Sequence, residues 1–462
     1  MTDAQLDANL QKMRANGVSD IGAATFAHYF ERLRAGEAGV LAESEIEPVG
    51  ELPHAGELPE DKHGARDALK RTVIVKLNGG LGTSMGMNGP KSLLEVKDGL
   101  TFLDIVARQV LDLRRRSGAR LPLVLMNSFA TRDLSLEALR VHRELPVDGI
   151  PADFLQGKLP KLDADDLCPV DWPADRALEW SPSGHGDLYP SLLSSGMLDT
   201  LLDAGYEYAF VANVDNLGAV MDQRILAWLA RERIPFLMEV ADRTSADRKG
   251  GHLAQRPAGG LVLREVAQTP DEDLGAFQDV ERHRFFNTNT LWIDLRALAD
   301  VLAERGGVLG LPMIVNRKTV DPGDASSAPV LQLETAMGAA IGVFDGARAI
   351  RVGRERFAPV KTTDDLLALR SDAFELHDGG RIVLADGRPA APLVELDPRH
   401  FKLLRDFDAR FPAGAPSLVD CERLTVRGDV AFGSGVVVRG SVVVEHAGDG
   451  RRRIADGAVL EG

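Results

Sequence analysis

The sequence is poor in cysteine and has no long apolar run, and each shortage excludes a class of protein. Its 462 residues include only Cys168 and Cys421, too few for a disulfide scaffold or a cysteine-ligated zinc site. No stretch of about 18 apolar residues is present, although a membrane-spanning helix requires one. The N-terminal segment mixes acidic and basic residues and lacks the apolar core of a signal peptide. We therefore expect a cytoplasmic protein.

Positive charge is also in deficit, because 54 lysines and arginines accompany 69 aspartates and glutamates and the net charge is −15. Nucleic acid and anionic membrane surfaces repel a chain of this sign. Aromatic residues make up only 5% of the sequence, which disfavours a stacking surface for single strands. Neither nucleic acid nor a membrane is an expected partner. A phosphate site here would need local positive charge from lysines, backbone amides or a divalent cation.

The length exceeds what one hydrophobic core normally holds, so the sequence predicts several domains. Residues 1–60 are expected to form an N-terminal helical arm, because Phe26, Tyr29 and Phe30 recur at helical spacing. Asp20 is the predicted cap of that helix. An acidic, proline-containing connector follows it and leads to the next domain.

Residues 61–370 alternate short apolar strands with helices. The strand candidates are RTVIVKL, LPLVLMN, YAFVAN, IPFLMEVA and NTLWIDL, and the helix candidates are TFLDIVARQVLDLRRRSG and LYPSLLSSGMLDTLLDAG. This alternation predicts a Rossmann-like α/β catalytic domain around a mixed, mainly parallel sheet. Ligands of such sheets bind beyond the carboxyl ends of the strands.

Residues 371–462 are expected to form a C-terminal domain. It begins with the hairpin-like stretch GGRIVLADGRPAAPLVEL and the helix candidate PRHFKLLRDFDARF. Valine-rich bursts then alternate with Gly-Asp and Arg-Gly turns, which predicts the coils of a short β-helix. An ordinary hairpin is the alternative, because two or three coils are few.

The stretch KLNGGLGTSMGMNGPKSLLEV, residues 76–96, follows a buried strand and carries five glycines. Its third glycine comes one residue late for the dinucleotide fingerprint, and Lys91 follows a proline where the P-loop has glycine. Glycines nevertheless let backbone N–H groups approach an anion. Pro90 fixes the backbone before Lys91, which would direct the ammonium toward that anion. The alternative is a tight turn with a surface lysine.

Two further stretches place polar groups at the expected sheet edge. Asn213, Asp215 and Asn216 follow a strand, and an aspartate there is a natural ligand for Mg²⁺ bound to phosphates. Turn formation is the alternative use of the same residue types. Gly184 and His185 open a helix and place free N–H groups and an imidazole at the same edge.

Later stretches carry weaker signals. Lys249 precedes two glycines, and Asn287 and Asn289 precede a strand; amides and glycines suit a polyhydroxyl ligand such as a sugar. Lys361 follows an apolar Pro-Val pair and precedes a helix cap. It is either a structural lysine at a buried edge or a second lysine facing a phosphate.

Taken together and in this order, the motifs are too extensive for chance. They are LNGGLGTSMGMNGPKSLLEV, LVLMNSF, GHGDLY, NVDNLGA, MEVADRTSADRKGG, NTNTLW, IVNRKT, LQLETAMGAAI and RFAPVKTTDDLL. Over about residues 20–460 the sequence resembles the eukaryotic-type family of UTP–glucose-1-phosphate uridylyltransferases. The resemblance implies a nucleotidyltransferase-type fold that ends in a small left-handed β-helix. It also implies that UTP and α-D-glucose 1-phosphate give UDP-glucose and pyrophosphate, with Mg²⁺ as cofactor.

The resemblance also implies roles for individual residues on the nucleotide side. Gln156 would read uracil, because an amide offers a donor to O4 and an acceptor to N3–H, whereas cytosine reverses both. The expected UTP-binding residues are Leu77, Asn78, Gly79, Gly80, Lys91, Gln156, Gly184, Asp215 and Lys361.

For catalysis, the resemblance assigns Lys91 to the phosphates and Lys361 to the charge that accumulates on the pentacoordinate phosphate. Asp215 would hold Mg²⁺ on the α-phosphate. The residues expected around the sugar phosphate are His185, Asn213, Asn216, Lys249, Glu265 and Asn289.

The sequence departs from the family pattern at Thr290, where a second asparagine is usual. Ser84 stands where the related acetylhexosamine pyrophosphorylases typically carry arginine, which favours the glucose enzyme. A related UDP-sugar pyrophosphorylase that uses another sugar 1-phosphate is the alternative. A nucleotide-sugar sensor without turnover would be expected to lack Lys91, Asp215 or Lys361, and all three are present.

The predicted oligomeric state is a monomer or at most a dimer. The C-terminal stretch GDGRRRIADGAVLEG is charged and stops short of the family's extra coil, and a charged edge discourages strand addition.

Overall fold

One ten-stranded sheet forms the centre of the computed structural model, which describes residues 3–37, 39–244 and 247–462. Met1, Thr2 and Ala38, which belong to the predicted arm, lie outside the described residues. The helices are α1 Asp3–Ala15, α2 Asp20–Arg34, α3 Lys62–Leu69, α4 Phe102–Ser117, α5 Arg132–Leu139, α6 Leu188–Ser194, α7 Met197–Asp203, α8 Gln223–Glu232, α9 Leu274–Phe277, α10 Leu295–Glu304, α11 Thr363–Arg370, α12 Pro398–Phe401 and α13 Leu404–Asp408.

The strands fall into the central sheet and several smaller ones. They are β1 Glu47–Pro48, β2 Thr72–Asn78, β3 Glu95–Lys97, β4 Leu100–Thr101, β5 Leu123–Asn127, β6 Asp153–Leu155, β7 Lys158–Pro160, β8 Leu162–Asp163, β9 Trp180–Pro182, β10 Tyr208–Asn213, β11 Phe236–Asp242, β12 His252–Gln255, β13 Leu261–Arg264, β14 Phe285–Asp294, β15 Met313–Thr319, β16 Pro329–Thr335, β17 Arg348–Arg351, β18 Phe374–His377, β19 Arg381–Leu384, β20 Leu393–Leu396, β21 Ser417–Arg427, β22 Val430–Phe432, β23 Val437–Glu445, β24 Arg452–Ile454 and β25 Val459–Glu461.

The central sheet is mixed, as the sequence predicts, and its main path runs β1-β12-β14-β10-β2-β5-β6. Strands β10, β2, β5 and β6 are parallel neighbours. Strand β14 runs antiparallel to β10, β11 and β12. The direction of the strands therefore reverses between β10 and β14. The five strand candidates in residues 61–370 are confirmed as β2, β5, β10, β11 and β14.

Apolar residues cover both faces of the parallel strands, which explains their continuous apolar sequences. On β2, Val73 and Val75 pack into one core with helix α6, while Ile74 packs into the opposite core with helix α4. Helix α4 has the predicted bounds, with a capping box between Thr101 and Asp104. The stretch predicted as one helix at residues 188–205 is instead two helices, because Gly196 adopts φ +71° between them.

The N-terminal arm packs against the catalytic region through helix α2. Phe26 and Phe30 are fully buried beside Leu162 and Met313. Ser19 caps this helix by accepting a hydrogen bond from Gly22 N at 3.1 Å. The predicted cap was wrong by one position, because Asp20 is the first helical residue. The division at residues 60 and 370 stays a prediction.

The C-terminal region differs from its predicted hairpin. Strand β19 pairs with β18, and β20 pairs in parallel with β21, so the proposed hairpin between residues 381 and 396 is wrong. Strands β20, β21, β23 and β25 form one parallel sheet, and β22 and β24 form a second. Parallel pairing of short strands excludes the plain hairpin in residues 417–461. Among the described helices, none is long and apolar enough to cross a membrane.

Candidate active site

The glycine-rich loop folds back on itself at the carboxyl end of β2. Gly82 N donates to Gly89 O at 3.3 Å, and Lys91 N donates to Gly80 O at 3.1 Å. Gly86 adopts φ +74° at the far end of the loop, a conformation that favours glycine. The end of the loop, with Lys91, thus lies close to its start at the carboxyl end of β2.

A cavity of about 310 Å³ opens beside this loop, at the carboxyl ends of β2 and β10. This is the edge at which open α/β sheets bind their ligands. Nine of the sequence-predicted residues line it: Leu77, Gly79, Gly80, Lys91, Gln156, Gly184, His185, Asn213 and Asp215. The sequence therefore identified most of the wall of this cavity.

Two opposite charges meet at the cavity. Lys91 Nζ lies 2.6 Å from Asp215 Oδ2, and the two side chains are 18% and 20% exposed. They come close because β2 and β10 are parallel neighbours, with Leu77 directly opposite Asn213. A lysine and an aspartate at this edge can act on phosphate oxygens, the lysine directly and the aspartate through a divalent cation.

Gln156 forms a second wall of the cavity. Its Nε2 donates to Gly184 O at 2.9 Å, and its backbone N donates to Asn127 O at 2.7 Å. A Cβ on Gly79 would clash with Gln156 Oε1, so the amide lies directly against the glycine-rich loop. The structure thus holds an oriented amide where the sequence predicts the reader of the base.

Asn78 has a different position from the other predicted nucleotide-binding residues. Its side chain is buried, and Nδ2 donates to Asn127 Oδ1 at 2.7 Å and to Ser135 Oγ at 2.8 Å. These bonds join the ends of β2 and β5 behind the cavity. Its side chain therefore supports the loop from below and does not line the cavity.

His185 enters the site as a neutral imidazole. Met337 N donates to its Nδ1 at 3.0 Å, which leaves the proton on Nε2. Burial lowers the pKa of His185 to about 4. Gly184 adopts φ +78°, and a Cβ there would lie 2.6 Å from Thr335 O. The turn is therefore closely packed and offers an N–H donor that stays neutral at pH 7.

Asp187 supports the same turn. Its Oδ2 accepts from Gly157 N at 2.6 Å and from Ser191 Oγ at 2.5 Å. Burial raises the pKa of Asp187 to about 6, although these hydrogen bonds oppose the shift. The carboxyl group thus joins the Gln156 loop to the helix that follows His185.

Asn289 lies on the antiparallel side of the cleft in a strained conformation. Its φ is +56°, and the pairing of β14 with β11 shifts register between Glu239 and Val240, leaving a β-bulge at residues 288–289. Asn287 holds it, since Nδ2 of Asn287 donates to Asn289 Oδ1 at 2.8 Å. Strain of this kind persists where surrounding structure fixes it, as it often does at functional sites.

Asn289, Glu265 and Lys249 are not in the lining of the 310 Å³ cavity, and neither is the predicted catalytic residue Lys361. Burial raises the pKa of Glu265, and the positive charge of Lys361 partly offsets that shift. Lys361 is exposed, with Nζ 5.7 Å from the centre of the Phe357 ring. Lys249 is exposed in a turn. Glu265 and Lys361 are thus electrostatically coupled, whereas no described contact joins Lys249 to either.

Asn216 does not line the cavity. It is 2% exposed, and its amide is hydrogen-bonded to the backbone around Arg356 and Ala358. Its position indicates support of neighbouring segments rather than a sugar contact.

Three buried charges near the site were not predicted from the sequence. Lys76 is 2% exposed, donates to Ala219 O at 3.0 Å, and has its pKa lowered by burial to about 7. Glu239 and Arg356 form a buried ion pair at 2.6 Å. A lysine within the apolar run RTVIVKL was the one available signal, since the ion pair joins residues 117 positions apart.

A larger cavity of about 410 Å³ lies on the other side of Gln156, between helix α2 and helix α6. It contains Gln156 and Asp187 in its lining but neither Lys91 nor Asp215. The smaller cavity is the candidate active site, because it contains both Lys91 and Asp215, whereas Lys361 lines neither cavity.

The carboxyl edge of the parallel strands combines a glycine-rich backbone, a lysine–aspartate pair and a neutral imidazole. This combination defines a nucleotide-binding α/β enzyme. The family model described as UTP–glucose-1-phosphate uridylyltransferase matches residues 23–439. The chain belongs to this family.

Individual relatives match nearly end to end. The UTP–glucose-1-phosphate uridylyltransferase of Solanum tuberosum is 41% identical over 468 residues, covering 99% of this chain and 96% of that protein. The enzyme of the same name from Hordeum vulgare is 42% identical, covering 96% and 93%. A solved structure of a point mutant of UDP-glucose pyrophosphorylase from Leishmania major, in complex with UDP-glucose, superimposes with a TM-score of 0.94. It is 44% identical, with 100% of this chain and 99% of that chain covered.

Proposed function

We propose that this chain transfers a uridylyl group from UTP to α-D-glucose 1-phosphate and produces UDP-glucose and pyrophosphate. The observation that carries the proposal is the Lys91–Asp215 pair, 2.6 Å apart, at the foot of a glycine-rich loop and beside an oriented amide. The relatives that match over nearly the whole chain are named for this activity. Transfer of another sugar 1-phosphate, the alternative, has no specific observation in its favour.

The reaction requires charge neutralisation and alignment rather than a covalent enzyme intermediate. A phosphate oxygen of glucose 1-phosphate forms a bond to the α-phosphorus of UTP while the bond to the pyrophosphate oxygen breaks. Lys91 lies at the cavity wall, where it would hold the phosphates of UTP. Lys361 would compensate the charge that grows in the transition state, which raises kcat more than it raises affinity.

Base selection is assigned to the Gln156 amide. It presents an oxygen toward Gly79 and keeps its nitrogen on Gly184 O, so its orientation is fixed before the nucleotide binds. A second hydrogen on Nε2 is available for uracil O4. Cytosine would leave both ends of the amide mispaired.

Magnesium fits the cavity through a single protein carboxylate. Asp215 is the one carboxylate among the residues that line the 310 Å³ cavity, and the described residues contain no group of three or more metal-ligating side chains. Mg²⁺ is normally held by one or two carboxylates together with substrate phosphates. Asp215 would hold the ion, which supplies positive charge at the α-phosphate. In this structure Lys91 Nζ lies 2.6 Å from Asp215 Oδ2, so the lysine would give up this carboxylate oxygen when the ion binds.

On the sugar side, we assign glucose hydroxyls to Asn289 and Glu265 and a lesser contact to Lys249. Asn289 and Glu265 are held in place, the first by Asn287 and the second by burial beside Gly251. Asn213 and the neutral N–H of His185 would contact the sugar phosphate. Asn216 would act through the backbone it holds rather than by contact.

We propose three further properties of the chain. The parallel C-terminal strands would form a left-handed β-helix, and the hand of the coils in a crystal structure tests this. Both cysteines are free thiols, which agrees with a reducing cytoplasm, and cell fractionation tests that location. We also propose a monomer or at most a dimer.

The deciding experiment is a pyrophosphate-release assay with UTP, glucose 1-phosphate and Mg²⁺. We expect release that requires all three, falls sharply in Asp215→Ala, and is much slower with galactose 1-phosphate. Nucleotide binding without release would support a sensor instead. Release of phosphate from UTP without glucose 1-phosphate would support a hydrolase. Either result contradicts the proposal.

A further inference from the structure

Asp215 and Lys361, which carry opposite charges, lie on two segments whose backbones contact each other. The Asp215 loop, residues 214–220, follows β10, and the Lys361 segment, residues 354–361, precedes helix α11. An isolated antiparallel bridge joins Asn216 to Pro359, and Val360 N approaches Asp215 O at 3.4 Å. These segments are about 140 residues apart in the chain, so only tertiary contacts fix their separation.

Asn216 provides two of those contacts. Its Nδ2 donates to Arg356 O at 3.1 Å, and its Oδ1 accepts from Ala358 N at 3.0 Å. The same oxygen accepts from Gly218 N at 3.2 Å, within its own loop. One buried amide thus supplies a hydrogen-bond partner to three backbone groups of the two segments.

A buried ion pair anchors the far end of the Lys361 segment. Arg356 Nε and Nη2 donate to the two oxygens of Glu239 at 2.8 and 2.6 Å, and Nη2 also donates to Val220 O at 2.9 Å. Trp292 Nε1 donates to Glu239 at 2.9 Å and holds the carboxylate from the other side. A bidentate pair fixes direction as well as distance. Arg356 therefore joins the Asp215 loop at a second point.

Gly218 shows how closely the segments approach. A Cβ at this position would clash with Glu355 O and lie 3.0 Å from the carbonyl carbon of Arg356. Only glycine fits at this position, so the two segments cannot shift relative to each other here.

We propose that Asn216 is a positioning residue that sets the separation between Asp215 and Lys361, with the Arg356–Glu239 pair as its anchor. The inference rests on the proposed function, because Asp215 and Lys361 act on one phosphate only in that reaction. Displacement by about 1 Å is enough to reduce a rate about 100-fold when the affected groups act on the transition state. Asn216 would therefore influence kcat without touching a substrate.

A double-mutant cycle separates positioning from general support. We expect Asn216→Ala to lower kcat by about 10- to 100-fold and to change the KM for UTP by less than about 3-fold. In a Lys361→Ala background, the same substitution should cost less than about 3-fold more, because the group it positions is already absent. Equal losses in both backgrounds would overturn the proposal.

A matched variant controls for loss of stability. Asn9 is also a buried asparagine whose Nδ2 joins separate backbone segments, through Gln5 O and Leu167 O, but it lies in the N-terminal arm. Asn9→Ala should lower the melting temperature about as much as Asn216→Ala and leave kcat unchanged. Arg356→Lys, compared with Arg410→Lys in the C-terminal region, repeats the comparison for the anchor.

Hydrogen exchange, measured without substrate, tests the positioning role of Asn216 separately from the proposed reaction. Backbone amides of Ala358 and Val360 should exchange hydrogen faster in Asn216→Ala than in the wild type and in Asn9→Ala. Unchanged exchange would refute the positioning role. If the wild type releases no pyrophosphate, the proposed function fails, while the exchange result still decides whether Asn216 joins the two segments.

Discussion

His185 and Asp187 are two residues apart, and burial shifts their pKa values in opposite directions. The pKa of His185 falls to about 4 and that of Asp187 rises to about 6, because burial disfavours the charged form of each. Both groups are therefore mostly neutral at mildly acidic pH. Near neutrality Asp187 carries its charge, held by Gly157 N and Ser191 Oγ.

These shifts predict opposite pH dependences of stability. The raised pKa of Asp187 contributes stability that is present below about pH 4 and is lost as pH rises through about 6, at most about 3 kcal/mol. The lowered pKa of His185 contributes stability that is present above about pH 6.5 and is lost as pH falls through about 4. In Asp187→Asn the first contribution disappears. Urea unfolding between about pH 4.5 and 7.5 should show the wild type losing stability relative to this variant as pH rises. A constant difference would contradict the shift.

Lys361→Ala should impair turnover far more than nucleotide binding. Lys361 is exposed and lies beside Phe357, and its charge acts on the half-buried Glu265. We expect it to compensate charge that develops on the phosphate. Loss of one such donor typically reduces kcat about 10²- to 10³-fold. Steady-state kinetics and calorimetric titration with UTP measure the two effects. A kcat and an affinity both near those of the wild type would show that the role is wrong.

Gln156 should determine the base. We expect the wild type to use UTP far better than CTP, and Gln156→Glu to use UTP poorly because a carboxylate repels O4. Gly79→Ala should weaken UTP use through the same amide, since its Cβ would displace Gln156 Oε1. Gly80→Ala should leave the Gln156 amide in place, since its Cβ would meet no protein atom within 4 Å. Equal use of UTP and CTP in a competition assay would refute this assignment.

Asn289→Gly should reduce activity without a gain in stability. Glycine accepts the φ of +56° without left-handed strain, but the substitution leaves the buried Asn287 Nδ2 without its acceptor and removes the amide assigned to glucose. Asp98→Gly is the matched control, because Asp98 has φ +50° in the turn between β3 and β4, away from the site. It should raise stability and leave the KM for glucose 1-phosphate unchanged. An unchanged KM in Asn289→Gly would remove Asn289 from the sugar site.

The protein should be a monomer or at most a dimer. Strand β25 pairs only with β23 among the described strands, and Glu461 on it forms a 3.0 Å ion pair with Arg439. Charged side chains on an edge strand discourage the addition of another strand. Light scattering at micromolar concentration measures the state. A stable hexamer or octamer would contradict the prediction.

Local patterns predicted the elements whose cause is local. Helix α4 follows from its apolar spacing and from Gly118, which caps it at φ +69°, and β2 follows from its β-branched run. The break at Gly196 has a local cause, the Ser-Ser-Gly stretch in which Gly196 adopts φ +71°. The pairing of β20 with β21 was missed, because it joins strands that are separated by two helices in the chain.

Within the candidate site, too, residues in contiguous motifs were predicted, whereas contacts between distant segments were not. Residues on the glycine-rich loop and after β10 were found because their motifs are contiguous and open directly into the cavity. The burial of Asn216 and the Glu239–Arg356 pair had no sequence signal, because each partner lies more than 100 residues away. Asn289 was identified by its motif, but its left-handed conformation comes from a bulge that only the register of β14 against β11 reveals.

The reversal of strand direction between β10 and β14 divides the cleft into two independently adjustable walls. The glycine-rich loop and Asp215 follow parallel strands, whereas Asn289 lies on an antiparallel strand whose bulge absorbs a change of register. Substitutions or insertions on the antiparallel side can move the proposed sugar contact of Asn289 without altering the alignment of β2 with β10. Sugar preference can thus diverge during evolution while the nucleotide half of the scaffold is inherited intact.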